Sequence, residues 1–103
     1  MYIIVLITVP TKKSAKQISE YLLENKLVAC VNIISKVDSF FWWQKKIDKA
    51  REMLLIAKTQ KKLFTKLVKA VKLKHPYTVP EIIALPIIMG NKQYLRWIGE
   101  SCG

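Results

Sequence analysis

The 103-residue chain holds one histidine, two cysteines, three glycines and four prolines, and each scarcity closes off a class of function. Glycines at positions 90, 99 and 103 alone cannot build a GxGxxG turn or a Walker A loop, which excludes nucleotide binding through those devices. One histidine, with no HExxH and no Cys/His cluster, cannot complete a zinc site within a single chain. Cys30 and Cys102 stand far apart with no CxxC pair, so no disulfide framework is written here and a reducing compartment is expected. No serine or cysteine has an evident base nearby in sequence, and no enzyme is readable. Glycine and proline are too few, and the apolar fraction of 51% too high, for a disordered or low-complexity chain. Acids are the last shortage. Seven Asp and Glu against 18 Lys and Arg leave a net charge of +11.

The length predicts one domain, residues 1–103, because single cores do not usually subdivide below about 250 residues. A chain of this size buries only roughly 60–65% of its unfolded surface and gains from oligomerising. The apolar start, Met1 to Pro10, lacks a basic n-region and a small-residue cleavage site. It is also far short of the about 20 residues a membrane helix needs. It reads as a buried strand, and the expected location is cytoplasmic.

Tyr2 to Val9 is a continuous aliphatic and β-branched run, the pattern of a central strand. Pro10 ends it and Thr11 is placed to cap a helix whose apolar positions Ala15, Ile18 and Leu22 run to about Asn25 or Lys26. Leu27 to Trp43 is a long strand, apolar on one parity (Ala29, Val31, Ile33, Val37, Phe41, Trp43) and mixed on the other. It exceeds the usual length of about 5–6 residues, so it bends or runs past its own sheet. Gln44-Lys-Lys46 reads as the turn into a returning strand, Ile47 to Thr59, although it lacks the Gly or Asn that such turns favour. Thr59 is then expected to cap a second helix to about Lys74, with Leu63, Leu67, Ala70 and Val71 on one arc and Lys61, Lys62, Lys66, Lys69 and Lys72 on the other. After the extended His75-Pro-Tyr-Thr-Val-Pro80 comes a fourth strand, Glu81 to Met89, demoted by Pro86 to an edge or a bulge. Asn91 caps a last helix with Tyr94, Leu95 and Ile98. The resulting order, β-α-β-β-α-β plus a helix, predicts an α+β, ferredoxin-like fold: an antiparallel sheet with two helices on one face.

Four side-chain groups could carry function. His75 is either a metal ligand or proton-transfer group, or a helix-end residue bonding the last carbonyls. Cys30 reads as a small buried hydrophobe and Cys102 as terminal packing. Phe40-Phe-Trp-Trp43 sends two aromatics to each face, so one pair must cover something outside the chain's own core, either a second subunit or stacked nucleobases. The lysine arc of the second helix is a solvated face or a track for phosphates.

These segments resemble the CutA family of divalent-cation-tolerance proteins from end to end. The resemblance is carried by Thr8-Val-Pro10, Leu27-Val-Ala-Cys-Val-Asn32, Phe41-Trp-Trp-Gln-Lys-Lys46, Leu55-Ile-Ala-Lys-Thr59, His75-Pro-Tyr-Thr-Val-Pro-Glu81 and Tyr94-Leu-Arg-Trp97. It implies a ferredoxin-like homotrimer in which neighbouring subunits continue each other's sheets, an architecture similar to the PII signalling proteins. A role in tolerance to copper and other divalent metals, with sensing at clefts between subunits, follows from the same resemblance. The cleft it implies is lined by Lys58, His75, Tyr77 and Glu81 and takes a metal ion or a small anion. Where bacterial members with proposed copper ligands carry a cysteine late in the first strand and two adjacent histidines, this chain has Ile7, Lys74 and His75. Only His75 remains as a metal ligand, so copper or another divalent cation would be held weakly and is not needed for folding. Lys45 also departs from the family pattern, which has Gly there; positive φ at a lysine costs about 1 kcal/mol. The alternative is a basic nucleic-acid-binding protein, read from the +11 charge, for which a gel shift of Lys62, Lys66 and Lys69 variants is the test. No membrane partner is expected.

Overall fold

The computed structural model describes residues 1–103. The chain runs β1 (Tyr2–Val9), α1 (Lys12–Glu24), β2 (Cys30–Trp43), β3 (Lys46–Gln60), a 3-10 turn (Lys61–Leu63), α2 (Phe64–Lys74), β4 (Ile82–Pro86) and α3 (Lys92–Ser101). The strands form one antiparallel sheet in the order β2-β3-β1-β4. β1 is therefore central, as its unbroken apolar run requires, and β2 and β4 are the edges.

Alternation along the strands divides the sheet into two faces. Ile3, Val5, Ile7 and Val9 of β1 pair with Thr59, Ala57, Leu55 and Met53 of β3, and this face is buried under α1 and α2. The helices contribute Ala15, Ile18, Leu22, Leu67, Ala70 and Val71 to the same core, the positions their periodicity picks out. The lysine arc, Lys61, Lys62, Lys66, Lys69 and Lys72, is exposed. On the opposite face the register aligns Leu85, Ile4, Lys58 and Cys30 in one row and Ile83, Leu6, Ile56 and Asn32 in the next. α3 packs on that side only at one end, where Ile98, Leu63 and Cys102 form a small second cluster with Tyr2 and Leu95. The rest of the face is bare: Ile34, Ile83 and Leu85 are each about half exposed (46, 51 and 50%).

Local chemistry explains the ends of the elements. Thr11 Oγ1 accepts the Ser14 N–H at 3.1 Å, and Asn91 Oδ1 accepts those of Gln93 and Tyr94. α1 closes with Lys26 at φ 58°, its N–H bonding the Leu23 carbonyl while the Leu27 N–H bonds that of Leu22. That is a Schellman closure with lysine where glycine is usual. Thr59 does not cap the second helix. It stays in β3, where its hydroxyl donates to the Leu27 carbonyl at 2.6 Å, and the 3-10 turn leads into α2 instead. β4 is shorter than its apolar run, ending at Pro86, whose missing N–H is tolerable opposite Ile3 on an edge strand.

The long second strand both bends and overruns. Its register with β3 slips between Ile34 and Val37, with Lys36 at φ 60°. Beyond the slip, Val37–Trp43 and Lys46–Glu52 leave the sheet, because β1 pairs β3 only from Met53 onward. The resulting arm stretches the molecule to 44 × 26 × 23 Å. It turns at Gln44 (φ 50°) and Lys45 (φ 65°), a two-residue loop of the kind that asks for Asn-Gly. Replacing Gln44-Lys45 by Asn-Gly is expected to raise stability by about 1–2 kcal/mol, read as a higher denaturant midpoint at unchanged slope. An unchanged midpoint would show that the left-handed pair carries no strain.

Candidate functional site

Polar side chains gather at two places, one at each end of β1. The first is built where α2 ends. His75 leaves the helix in an extended conformation and is 8% exposed. One ring nitrogen, Nε2, lies 2.7 Å from the Thr8 carbonyl, which can only accept, so Nε2 carries the proton. The other, Nδ1, accepts the Tyr77 backbone N–H at 3.0 Å. The imidazole is thus a neutral clip between the end of β1 and the Pro-Tyr segment. It does not bond the last carbonyls of its own helix through its side chain. Tyr77 packs on the same ring at 4.9 Å and donates its hydroxyl to Glu52 Oε2 at 2.7 Å. Burial, the hydrogen bond to Glu52 and the negative charge of that carboxylate, in that order, push the Tyr77 phenol up to about 12. Glu52 is 5% exposed and spends one oxygen on this contact.

The second group lies on the open face of the sheet. β3 carries Lys58 directly opposite Cys30 of β2, and Asn32 follows on the same face. The Lys58 ammonium donates to Asn32 Oδ1 and reaches Cys30 Sγ at 3.8 Å, and the thiol in turn reaches Asn32 Oδ1 at 3.8 Å. Tyr94, from α3, closes the group. Burial first, and then the charge and hydrogen bonding of the Cys30 sulfur, raise its phenol above the ordinary value. The Trp97 ring lies 5.4 Å from that of Tyr94.

Of the four residues expected in a cleft between subunits, a single chain brings His75 and Tyr77 together and holds Lys58 at a distance from them. Lys58 pairs with Ile4 while the His75 clip holds Thr8, at the other end of the same strand. Glu81 is exposed immediately before β4. Sequence reasoning missed Thr8 and Glu52 in the first group and Asn32 and Tyr94 in the second, and it read Cys30 as a small buried hydrophobe, whereas Cys30 is only half-buried, on the open face beside Lys58. The shared parity of Cys30 and Asn32 was the available signal.

The model of the family described as CutA1 divalent ion tolerance protein matches residues 3–101. The chain belongs to the CutA family. It is 48% identical to the divalent-cation tolerance protein CutA of Thermus thermophilus over 97% of each chain. The solved structure of the Thermus thermophilus protein superposes with a TM-score of 0.98 over 100% of both chains. An Archaeoglobus fulgidus structure titled periplasmic divalent cation tolerance protein CutA gives 0.95 at 44% identity over 98% of each chain. A rice relative named chloroplastic is 44% identical over 96% of this chain, which spans 56% of that protein. The compartments named for these relatives differ, and no helix of this chain is long and apolar enough to cross a membrane.

Against the family's cation label, the donor set within one chain is poor. No three His, Cys, Asp or Glu side chains come together. Ile7 is fully buried in the core, and the Lys74 ammonium sits 4.7 Å over the Tyr21 ring. His75 has both nitrogens engaged, so a metal ion reaches Nδ1 only by displacing the Tyr77 N–H. A resident metal does not fit these residues as they are folded in one chain.

Proposed function

We propose that this chain acts in divalent-cation tolerance as a homotrimer that binds a small ligand, a metal ion or a small anion, at clefts between its copies. The observation that supports it is the bare apolar face of the sheet with one polar group set into it. The exposed residues include Ile34, Ile83 and Leu85 on that face and Phe40, Trp42 and Ile47 on the arm, far more apolar surface than a lone soluble chain presents. The two free edges, β2 and β4, are different strands. Pairing one with the other is a head-to-tail contact, which repeats around a rotation axis until it closes into a ring. Closure covers both the edges and the face. The Lys58 group then lies within the covered face, where occupancy can be felt by two copies at once and read out as a change in the assembly. Cys30 and Cys102 are both free, in keeping with work in the reducing cytoplasm. The names of the Thermus thermophilus and Archaeoglobus fulgidus relatives speak of divalent cations, and the reading follows them. Sedimentation at micromolar concentration is expected to give a trimer, and calorimetry with copper(II), zinc or phosphate to give saturable heat. A monomer in the first measurement, or no heat with any of the three in the second, sinks the reading.

A further inference from the structure

The ligand class follows from a charge that nothing neutralises. Lys58 stands in a row with Leu85, Ile4 and Cys30, and Ile56 precedes it by two residues on the same face. Its hydrogen-bond partners are the Asn32 amide and the Cys30 sulfur, and no carboxylate reaches it. The chain's one ion pair, Arg51 with Asp38, is on the arm, and the Tyr94 phenol beside Cys30 brings a donor. An ammonium is costly to cover without an anion, yet it is planted on the face that the proposed assembly covers. We propose that the Lys58 group is an oxyanion site: it takes the carboxylate or phosphoryl oxygens of a small molecule, gripped by the Lys58 ammonium, the Asn32 amide and the Tyr94 hydroxyl. A bare divalent cation is repelled there. The inference rests on the trimer reading, because a neighbouring copy is what dries the site.

The test titrates the wild-type trimer with inorganic phosphate and, separately, with succinate at constant chloride. Lys58→Met is the probe, Lys62→Met the control for diffuse charge, and Tyr94→Phe a milder variant in case Lys58→Met does not fold. Saturable binding of either anion is expected, weakened roughly tenfold or more by Lys58→Met, several-fold by Tyr94→Phe, and unchanged by Lys62→Met. Whichever anion binds identifies the phosphoryl or the carboxylate source. No binding of either anion to a wild-type trimer at about 10 mM overturns the proposal, as does equal weakening by Lys62→Met. Loss of the trimer in Lys58→Met with no anion binding by the wild type also overturns it, since the lysine then pairs with a carboxylate of the next copy. A wild-type monomer, by contrast, removes the assembly reading itself.

Discussion

Changing Trp42 and Trp43 together to Ser is expected to abolish the trimer and leave no folded monomer in its place. Trp42 is 72% and Trp43 46% exposed on one chain, and neither belongs to the core beneath α1 and α2. Their burial must therefore come from another copy. Each large aromatic contributes about 1.5–3 kcal/mol when covered, so the pair is worth several kcal/mol per subunit at one closed interface. What remains after their loss is thin, since one chain buries only 22 of its 103 residues. Total stabilities run to about 5–15 kcal/mol, and a core this small leaves the released chain near zero. Folding and association are then one equilibrium, and the wild-type melting temperature should rise with protein concentration. The expected readout for the double variant is loss of the trimer in sedimentation together with loss of far-ultraviolet dichroism. A well-folded monomer of either protein at micromolar concentration refutes the argument, because it shows the four-stranded body to be self-sufficient.

The arm that carries these tryptophans shows what was legible in the sequence and what was not. An unbroken apolar run located β1, and periodicity located α1 and the buried arc of α2, because each helix has one face decided by a single core. The overlong second strand announced that it bends or overruns, since strands usually run to about 5–6 residues and this one extends from Cys30 to Trp43. Thr59 misled because a hydroxyl before a lysine-rich helix looks the same whether it caps that helix or bonds a distant strand; its partner is the Leu27 carbonyl, 32 residues earlier. The polar groups were only half legible. His75 and Tyr77 are neighbours in sequence, but Thr8 and Glu52 join them through β1 and β3. Lys58 meets Cys30 through strand register, which composition does not encode. Distant polar partners are chosen by topology, and no spacing rule reaches across it.

His75 offers the sharpest separation of structural from metal-binding roles. Its ring satisfies the Thr8 carbonyl and the Tyr77 N–H in a nearly closed environment, 8% exposed. His75→Ala strands both backbone groups, each worth about 1–3 kcal/mol when left unpaired in the interior. It also empties the space against which the Tyr77 ring packs, loosening the hydroxyl that Glu52 accepts. The expected loss is about 2–4 kcal/mol. Because the clip is made entirely of protein atoms, the loss should appear in full with the chelator EDTA present. His75→Gln, whose amide can still donate to one carbonyl, should recover part of it. Denaturant titration of the three proteins, each with and without EDTA, makes the comparison. If metal-free His75→Ala matches the metal-free wild type, the hydrogen bonds do not hold the Pro-Tyr segment to β1. The histidine would then contribute to stability only through a bound ion.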